Sequence, residues 1–288
     1  TSSTRLAINA SKLTKALYDL IKKENQMKVI RIITIIILAI IFAYFAYSNI
    51  PFFPPSSKVN EGKTLTSTHW MGSGNYAKFA PGPESNTLGC WSTTFAQISY
   101  YHRLQPTGIS DYESSKGYKV HEQLNAYVFN WNRFENRITN ATPQDNIDEI
   151  SRYAYYISTV VQKDFGTGRY MTMMPPISNI EEQLNVNAQL YVNYKGFFQS
   201  KRKIRNIVMR EIESNRPLYL YYRNMKVKGS GHSVVLDGYR IDNKNFKVHL
   251  NFGWGGKKDG WYDLFNSIAI DGDTDLRMLI TIQPLSNT

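Results

Sequence analysis

The chain has 288 residues, 42% of them hydrophobic and 14% aromatic, so it can bury a sizeable core and is not disordered by composition. Its formal net charge is +11, but the basic residues form no stripe with interleaved aromatics, so the sequence predicts no nucleic-acid partner. One cysteine excludes an internal disulfide and a zinc site built on several thiolates, and the five histidines show no paired-ligand spacing, so we predict no metal and no cofactor.

The first predicted element is a basic N-terminal extension, residues 1–26. Residues 1–31 carry seven Lys/Arg and two acids, a balance of +5, which leaves +6 for the rest of the chain (27 minus 21). Its apolar side chains suit an amphipathic helix: Leu13, Leu17, Leu20 and Ile21. Met27 followed by Lys28 is typical of a natural start. Residues 1–26 are then either a fragment of something longer or an upstream extension of the reading frame.

The next element, residues 27–50, has a basic flank, an uncharged apolar run from Ile32 to Tyr47, and small residues after it. This order predicts a secretory signal peptide. A membrane anchor is the alternative, because residues 29–50 approach the roughly 20 residues that a spanning helix needs. In both cases the C-terminal portion lies outside, so we predict an extracytoplasmic protein, secreted or anchored through residues 29–50. A buried core helix would not explain the one-sided basic flank.

Residues 51–67 are rich in Pro, Ser and Thr and predict a linker, which leaves residues 68–288 as one domain. Up to about Asn215 its patterns are mostly helical. The segments that predict helices are the one that begins at Cys90 and residues 142–161, 177–187 and 200–215.

After Pro217 the pattern changes to strands. The β-rich segments are residues 217–223, 231–241, 245–253, 260–265 and 277–285, and turn signals separate them. Helices followed by an antiparallel meander predict an α+β domain with two lobes. A cleft between two lobes is the natural place for a site.

Cys90 lies at the first turn of its predicted helix. The free N–H groups and the positive dipole at that end stabilise a thiolate, which is the nucleophilic form of cysteine. A buried structural cysteine is the ordinary alternative for a lone thiol. Export favours the catalytic interpretation, because an unused thiol is a liability in an oxidising compartment.

Two later segments supply possible partners for this thiol. His232 follows two glycines at the entry to an apolar strand, where it could serve as general base. Asn251 ends the next strand of the hairpin, and its amide oxygen is expected to accept a hydrogen bond from the imidazole and fix its tautomer. Trp254 is expected to lie over that bond and exclude water.

Three segments together resemble the streptopain-like cysteine peptidases of the papain-like group: "LGCWSTTFAQISYYH", "GSGHSVVLDGY" and "VHLNFGWGGKKDGWYDL". The resemblance covers roughly residues 70–285. It implies a papain-like fold, with a helical N-terminal lobe and an antiparallel β C-terminal lobe behind the N-terminal signal or anchor helix. It also implies that Cys90 is the nucleophile, that His232 is the general base and acid, and that Asn251 orients the histidine.

The sequence departs from this family at two points. Phe252 replaces the first tryptophan of the usual Asn-Trp-Gly-Trp-Gly-Gly segment, and residues 70–89 contain no glutamine to serve as oxyanion donor. Ser73 and Asn75 are the candidate substitutes, beside the backbone N–H of Cys90.

The sequence therefore predicts an exported thiol peptidase that acts on peptide or protein substrates through Cys90, His232 and Asn251. Two alternatives remain open. One is a catalytically weak or inactive papain-like binding module tethered at the cell surface, which the missing glutamine favours. The other is an acyltransferase or amidase on the same triad, which differs only in what accepts the acyl group.

Overall fold

The structure is a computed structural model that describes residues 2–49, 58–82, 87–195, 197–266, 268 and 274–285. The chain divides into two units, Thr1–Phe52 and Phe53–Thr288. The first unit is one helix, α1 (Ser2–Asn49). Its sequence contains neither Gly nor Pro, the two residues that most readily interrupt helices. Within it, Lys22–Tyr47 is long and apolar enough to cross a membrane, judged by length and composition.

The second unit contains the other helices and all the strands that the described residues form. The helices are α2 (Gly89–Tyr101), α3 (Gln144–Val160), α4 (Ile177–Leu184) and α5 (Lys201–Glu213). The short strands are β1 (Ile109–Glu113), β2 (Lys119–Gln123), β3 (Lys163–Asp164), β4 (Arg169–Tyr170) and β6 (Phe197–Phe198). The longer strands are β5 (Val186–Tyr194), β7 (Leu218–Arg223), β8 (His232–Asp242), β9 (Asn245–Asn251), β10 (Gly260–Asp263) and β11 (Leu276–Pro284).

Seven of these strands form one antiparallel sheet in the order β10-β9-β8-β7-β11-β5-β6. The β8–β9 hairpin turns at Asn243 and Lys244, which both have positive φ angles (46° and 71°), as a tight two-residue hairpin turn requires. The α+β architecture with a helical part and an antiparallel sheet confirms the fold class predicted from the sequence. The predicted helices over 142–161 and 200–215 and the five predicted strands are likewise confirmed.

The prediction of a mostly helical region up to Asn215 is wrong in two places. β1 and β2 pair as a separate hairpin, and β5 joins the large sheet between β11 and β6. The predicted helix over 177–187 ends early because Asn185 takes a left-handed conformation (φ 51°) and caps α4. From Val186 to Gln189 the side chains alternate between buried and exposed, which is the period of a strand.

The second half of the predicted linker lies against the sheet. The Gly62 N–H donates to the Tyr239 carbonyl (2.8 Å) and the Leu65 N–H donates to the Asp237 carbonyl (2.9 Å). Thr66 Oγ1 donates to the carboxylate of Asp237 at 2.5 Å. Because these bonds attach residues 62–66 to β8, this segment belongs with the domain. Its sequence has no strand periodicity that could have predicted the contact.

Helix α2 passes through the middle of the domain. Every residue from Trp91 to Tyr100 is buried, because α2 packs against α3 on one side and against β8 and β7 on the other. The ring of Phe95 stacks on that of Tyr219 from the sheet with centroids 4.8 Å apart. The N-terminus of α2 is thereby fixed beside the first residue of β8, which brings the predicted site together.

Candidate active site

A cavity of about 350 Å³ opens where the N-terminus of α2 meets β8 and the turn after β9. This volume falls within the range of small-molecule and peptide pockets. Its lining residues are Met71, Gly72, Ser73, Thr87, Gly89, Cys90, Thr93, His232, Gly253, Trp254 and Lys257. Four of the six residues singled out from the sequence therefore line one cavity: Cys90, His232, Trp254 and Ser73.

Cys90 is the second residue of α2 and is a half-buried free thiol. Leu88, the N-cap residue, provides no side-chain cap, and Thr87 Oγ1 accepts a hydrogen bond from the Gly89 N–H (3.3 Å) instead. The Tyr170 hydroxyl bonds to both ends of the first turn: it accepts a hydrogen bond from the Ser92 N–H (2.9 Å) and donates to the Leu88 carbonyl (3.1 Å). Gly89 (φ 79°) makes this approach possible, because a Cβ there would come within 2.8 Å of that hydroxyl.

His232 is the first residue of β8, and β8 pairs with β7 so that His232 lies opposite Tyr222. Gly231 precedes it with a φ of 123°, and a Cβ at Gly231 would lie 2.4 Å from the hydroxyl oxygen of Tyr221. No larger side chain fits at Gly231 without moving Tyr221. The glycine before the histidine therefore lets the strand start close to β7, with the imidazole at the cavity.

The Cys90 thiol and the His232 imidazole form a hydrogen-bonded pair. Burial alone raises the pKa of the Cys90 thiol, but the hydrogen bond and the positive charge of His232 lower it, and hydrogen bonds from Ser233 add to that effect. The net result is a Cys90 pKa below its ordinary value. The site thus favours the thiolate.

The second ring nitrogen of His232 is held by backbone. Nε2 lies 2.9 Å from the carbonyl oxygen of Phe252. A carbonyl can only accept a hydrogen bond, so Nε2 carries a proton in this contact. Nδ1 is then the nitrogen left to exchange a proton with Cys90. The Phe252 carbonyl therefore occupies the orienting position that the sequence assigned to the Asn251 side chain.

The side chain of Asn251 has other partners, which corrects the expected contact with the imidazole. Asn251 Oδ1 accepts hydrogen bonds from the Gly253 N–H (3.0 Å) and from Gln97 Nε2 (3.3 Å). Asn251 Nδ2 donates to Gln97 Oε1 (3.2 Å) and to the Thr68 carbonyl (2.5 Å). The two buried amides form a reciprocal pair between α2 and the end of β9. The pair fixes the point where the chain leaves β9, one residue before the carbonyl that holds His232.

Aromatic rings surround the imidazole. The ring centroids of Trp254 and His232 are 4.6 Å apart, and the Phe252 ring is parallel to the imidazole at 5.9 Å. Tyr222 meets His232 edge-on at 6.4 Å. Trp254 thus lies beside His232 as expected, and Phe252, which is 1% exposed, keeps an aromatic surface at the position of the replaced tryptophan.

The model of the peptidase C10 family matches residues 70–262, about two thirds of the chain, and this range includes Cys90, His232 and Asn251. The chain belongs to the peptidase C10 family. The resemblance to streptopain-like peptidases that the three sequence segments predicted is confirmed.

Two curated relatives illustrate the extent of this similarity. Streptopain of Streptococcus pyogenes serotype M1 is 28% identical over 204 residues, which are 65% of this chain and 49% of streptopain. The thiol protease/hemagglutinin PrtT of Porphyromonas gingivalis is 23% identical over 223 residues, which are 72% of this chain and 25% of PrtT. The chain spans about half the length of the streptopain sequences that it matches, and less of PrtT.

Solved structures show the same fold. The active wild-type interpain A cysteine protease of Prevotella intermedia superposes with a TM-score of 0.63 at 17% identity, over 79% of this chain and 98% of that one. A prointerpain A fragment from the same organism gives a TM-score of 0.61 at 18% identity, over 80% and 74% of the two chains. The papain-like fold predicted from the sequence is therefore confirmed.

The two candidate oxyanion residues of this C10 member lie in different surroundings. Ser73 lines the cavity with an exposed side chain, and its backbone pairs with Thr87 across the cavity wall. Asn75 lies in the short 3-10 helix Gly74–Ala77, outside the lining residues, and its carbonyl accepts a hydrogen bond from Ser151. Of the two, only Ser73 is placed at the cavity.

Several residues at the site were not found from the sequence. Tyr170 stacks on Trp91 (centroids 4.2 Å apart, planes at 15°), and the ammonium group of Lys163 lies 5.2 Å from its ring centroid. Lys163 is fully buried, and burial lowers its pKa to about 8. Its ammonium donates to the carbonyls of Thr167 (2.5 Å) and Arg169 (2.9 Å). Lys163 and Tyr170 lie in the paired two-residue strands β3 and β4, 73 and 80 residues after Cys90. These strands have no periodic pattern, so no local signal could have linked them to the thiol.

Proposed function

We propose that this C10 member is an exported thiol peptidase that hydrolyses peptide bonds through an acyl-enzyme. The observation that carries the proposal is the hydrogen-bonded Cys90–His232 pair at the N-terminus of α2, inside a cavity, with the thiol pKa lowered. A thiolate beside an imidazolium is the activated form of a cysteine nucleophile. Family membership supports the same reaction class.

In the proposed mechanism, the Cys90 thiol transfers its proton to Nδ1 of His232, and the sulfur attacks the peptide carbonyl carbon. The carbonyl oxygen becomes an oxyanion. When the C–N bond breaks, His232 gives its proton to the leaving amine, and the acyl group remains on the sulfur as a thioester. A water molecule then gives a proton to His232 and attacks the thioester, which releases the carboxylic acid and restores the thiol. The Phe252 carbonyl and the Gln97–Asn251 pair hold the imidazole throughout.

The oxyanion is proposed to form beside the Cys90 N–H and the Ser73 hydroxyl. The Cys90 N–H is in the first turn of α2, where backbone donors have no partner inside the helix. Ser73 lines the same cavity and makes no capping hydrogen bond at its own short helix. The Ser73 hydroxyl would then replace the glutamine that the segment before Cys90 lacks, and the Cys90 N–H would be the second donor.

We further propose that Lys22–Tyr47 directs export, either as a cleaved signal or as an anchor, with the domain outside the membrane. The basic flank before the apolar run supports this orientation. Peptide or protein substrates would then be met outside the cytoplasm.

The test uses the full chain in detergent and an unfolded protein as substrate, in water enriched in ¹⁸O. We expect new fragments whose C-terminal carboxyl groups carry one ¹⁸O atom, because water resolves the acyl-enzyme. Cys90→Ala and His232→Ala should both lose the cleavage by a factor of about 10³ or more.

The outcomes separate the alternatives. Fragments equally abundant with Cys90→Ala would contradict the proposal. If the wild type transfers acyl groups to added amines without ¹⁸O uptake, the acyltransferase alternative is correct. Binding of the substrate with no covalent product at all would instead support the inactive module.

A further inference from the structure

Lys257 lines the cavity and belongs to a turn whose single carboxylate is bonded to other residues. The turn from Phe252 to Gly260 contains one acid, Asp259. Asp259 Oδ1 accepts from the Phe252 N–H (2.9 Å), and its Oδ2 lies 3.1 Å from Nδ1 of His69. The Lys257 side chain is exposed and has no ion pair within the described ranges of the chain.

The turn that carries Lys257 is fixed to the rest of the domain. The Gly255 N–H donates to the Trp70 carbonyl (3.2 Å), and Arg137 donates to the Gly255 carbonyl. The Lys257 N–H itself donates to the Trp254 carbonyl (3.3 Å). The base of the lysine side chain is therefore held in place, while its ammonium group remains available at the cavity.

Among the residues that the structure describes, those lining the cavity include no carboxylate. Apart from Cys90 and His232, the ionisable group among them is Lys257. A negatively charged group that enters the cavity would meet Lys257 and the protonated His232 and, among the lining residues that the structure describes, no acid. A positively charged group would meet Lys257 and the imidazolium, and both would repel it.

The position of Lys257 also indicates which half of a substrate it meets. His232 gives its proton to the leaving amine, so the leaving half lies on the imidazole side of the cavity. Trp254 packs on that imidazole, and Lys257 follows it in the same turn. A group held by Lys257 therefore belongs to the residues just after the cleaved bond.

We propose that Lys257 is a specificity-determining residue that binds a carboxylate on the leaving half of the substrate. This inference rests on the proposed peptidase function and names its substrate class. The carboxylate has two possible sources with the same chemistry: an Asp or Glu side chain within two residues after the cleaved bond, or the free C-terminus of a short peptide.

The test maps cleavage sites by mass spectrometry in a library of protein-derived peptides, prepared with free and with amidated C-termini. The full chain is compared with Lys257→Gln, Lys257→Glu and Lys258→Gln. Lys258 is the matched control, because it carries the same charge in the same turn but does not line the cavity.

We expect acidic residues after the cleaved bond to be favoured about two- to fivefold by the wild type, as for an exposed ion pair. Lys257→Gln should abolish this preference, Lys257→Glu should reverse it toward Lys and Arg, and Lys258→Gln should leave it unchanged. A preference that disappears on amidation identifies the C-terminal carboxylate as the source, and one that survives identifies the side chain.

An acidic preference that is equal in the wild type and in Lys257→Gln, or absent from both, would overturn the inference while the cleavage itself still supports the peptidase. Absence of cleavage by every form would overturn the proposed function, and the inference with it.

Discussion

At the scale of single residues, the site depends on a main-chain carbonyl. Nε2 of His232 is bonded to the Phe252 carbonyl, whereas the neighbouring Asn251 side chain is bonded to Gln97, Thr68 and Gly253. The Asn251 amide can thus serve His232 indirectly, by fixing the backbone that holds the ring.

This arrangement predicts that Asn251 and Gln97 behave as one unit. Asn251→Ala and Gln97→Ala each leave buried hydrogen-bonding groups without partners, so each should lower the free energy of unfolding by about 2–4 kcal/mol. Their losses in kcat/KM should agree within about threefold, because both variants loosen the same backbone. Thermal melts and peptide cleavage measure the two effects. A large loss of activity in Asn251→Ala with a nearly normal Gln97→Ala would instead mean that Asn251 contacts the imidazole directly.

The second prediction at this scale concerns the oxyanion. Ser73→Ala should lower kcat by about 10²-fold, the effect of losing one oxyanion donor, and leave thiol alkylation unchanged, because no oxyanion forms in that reaction. Asn75→Ala is the matched control and should retain the wild-type kcat, since Asn75 lies outside the cavity lining. Kinetics of peptide cleavage measure kcat for both variants, and the rate of alkylation by iodoacetamide measures the reactivity of the thiol. Equal effects of the two substitutions would show that Ser73 has no special part.

The role of a single residue could be predicted from sequence only where neighbouring residues in the chain indicate its backbone position. Cys90 after a glycine at a helix start, and His232 after a glycine at a strand start, combine a reactive side chain with a recognisable backbone position. The partners of Asn251 could not be predicted, because its reciprocal bond with Gln97 depends on how α2 packs against β9. From its chemistry alone, the Asn251 side chain could bond either to the imidazole of His232 or to another amide.

At the scale of elements, the N-terminus of α2 is capped from another part of the chain. Leu88 offers no side-chain cap, and the Tyr170 hydroxyl, at the end of β4 where it pairs with β3, bonds to the Leu88 carbonyl and the Ser92 N–H at the two ends of the first turn. The cap adjoins Cys90, so this strand pair also stabilises the helix end that favours the thiolate.

Tyr170→Phe should therefore affect the thiol as well as stability. Loss of the hydroxyl removes its hydrogen bonds to the Ser92 N–H and the Leu88 carbonyl, which should lower the free energy of unfolding by about 1–3 kcal/mol. The first turn of α2 should then fray, and Cys90 should be alkylated more slowly below pH 7. Tyr112→Phe is the control, since that hydroxyl donates to the Lys163 carbonyl (2.9 Å), away from α2. Unchanged alkylation in Tyr170→Phe would show that the cap does not influence the thiol.

Elements were predictable where periodicity ran long enough. α3 and α5 repeat their apolar residues over three or more turns, and the strands after Pro217 are separated by strong turn residues. β5 was missed because its alternation starts directly after α4, with only Asn185 between the two elements. The two-residue strands β3 and β4 carry no detectable period, so the cap that they supply was also beyond prediction.

At the scale of the whole molecule, the C10 fold explains why three distant segments meet. α2 is buried against the sheet, β8 begins beside its N-terminus, and β9 runs antiparallel to β8 with Asn251 opposite Val235. Residues 90, 232 and 251–254 come together because each lies at the end of an element at the same place in the fold. The sequence resemblance pointed to the three segments that lie at this place, whereas the hydrogen-bond partners of His232 and Asn251 follow from how α2 and β9 pack.

The central claim is that Cys90 and His232 form a reactive ion pair, and alkylation tests it most directly. Cys90 is the only cysteine, so the intact mass of the full chain reports its reaction with iodoacetamide without ambiguity. Rates are measured from pH 4 to 9 for the wild type and for His232→Ala. Because the imidazolium lowers the thiol pKa, we predict rapid alkylation of the wild type well below the free-cysteine value of about 8.5, and loss of that acid-side reactivity in His232→Ala. Alkylation that rises only near pH 8.5 in both proteins would contradict the account.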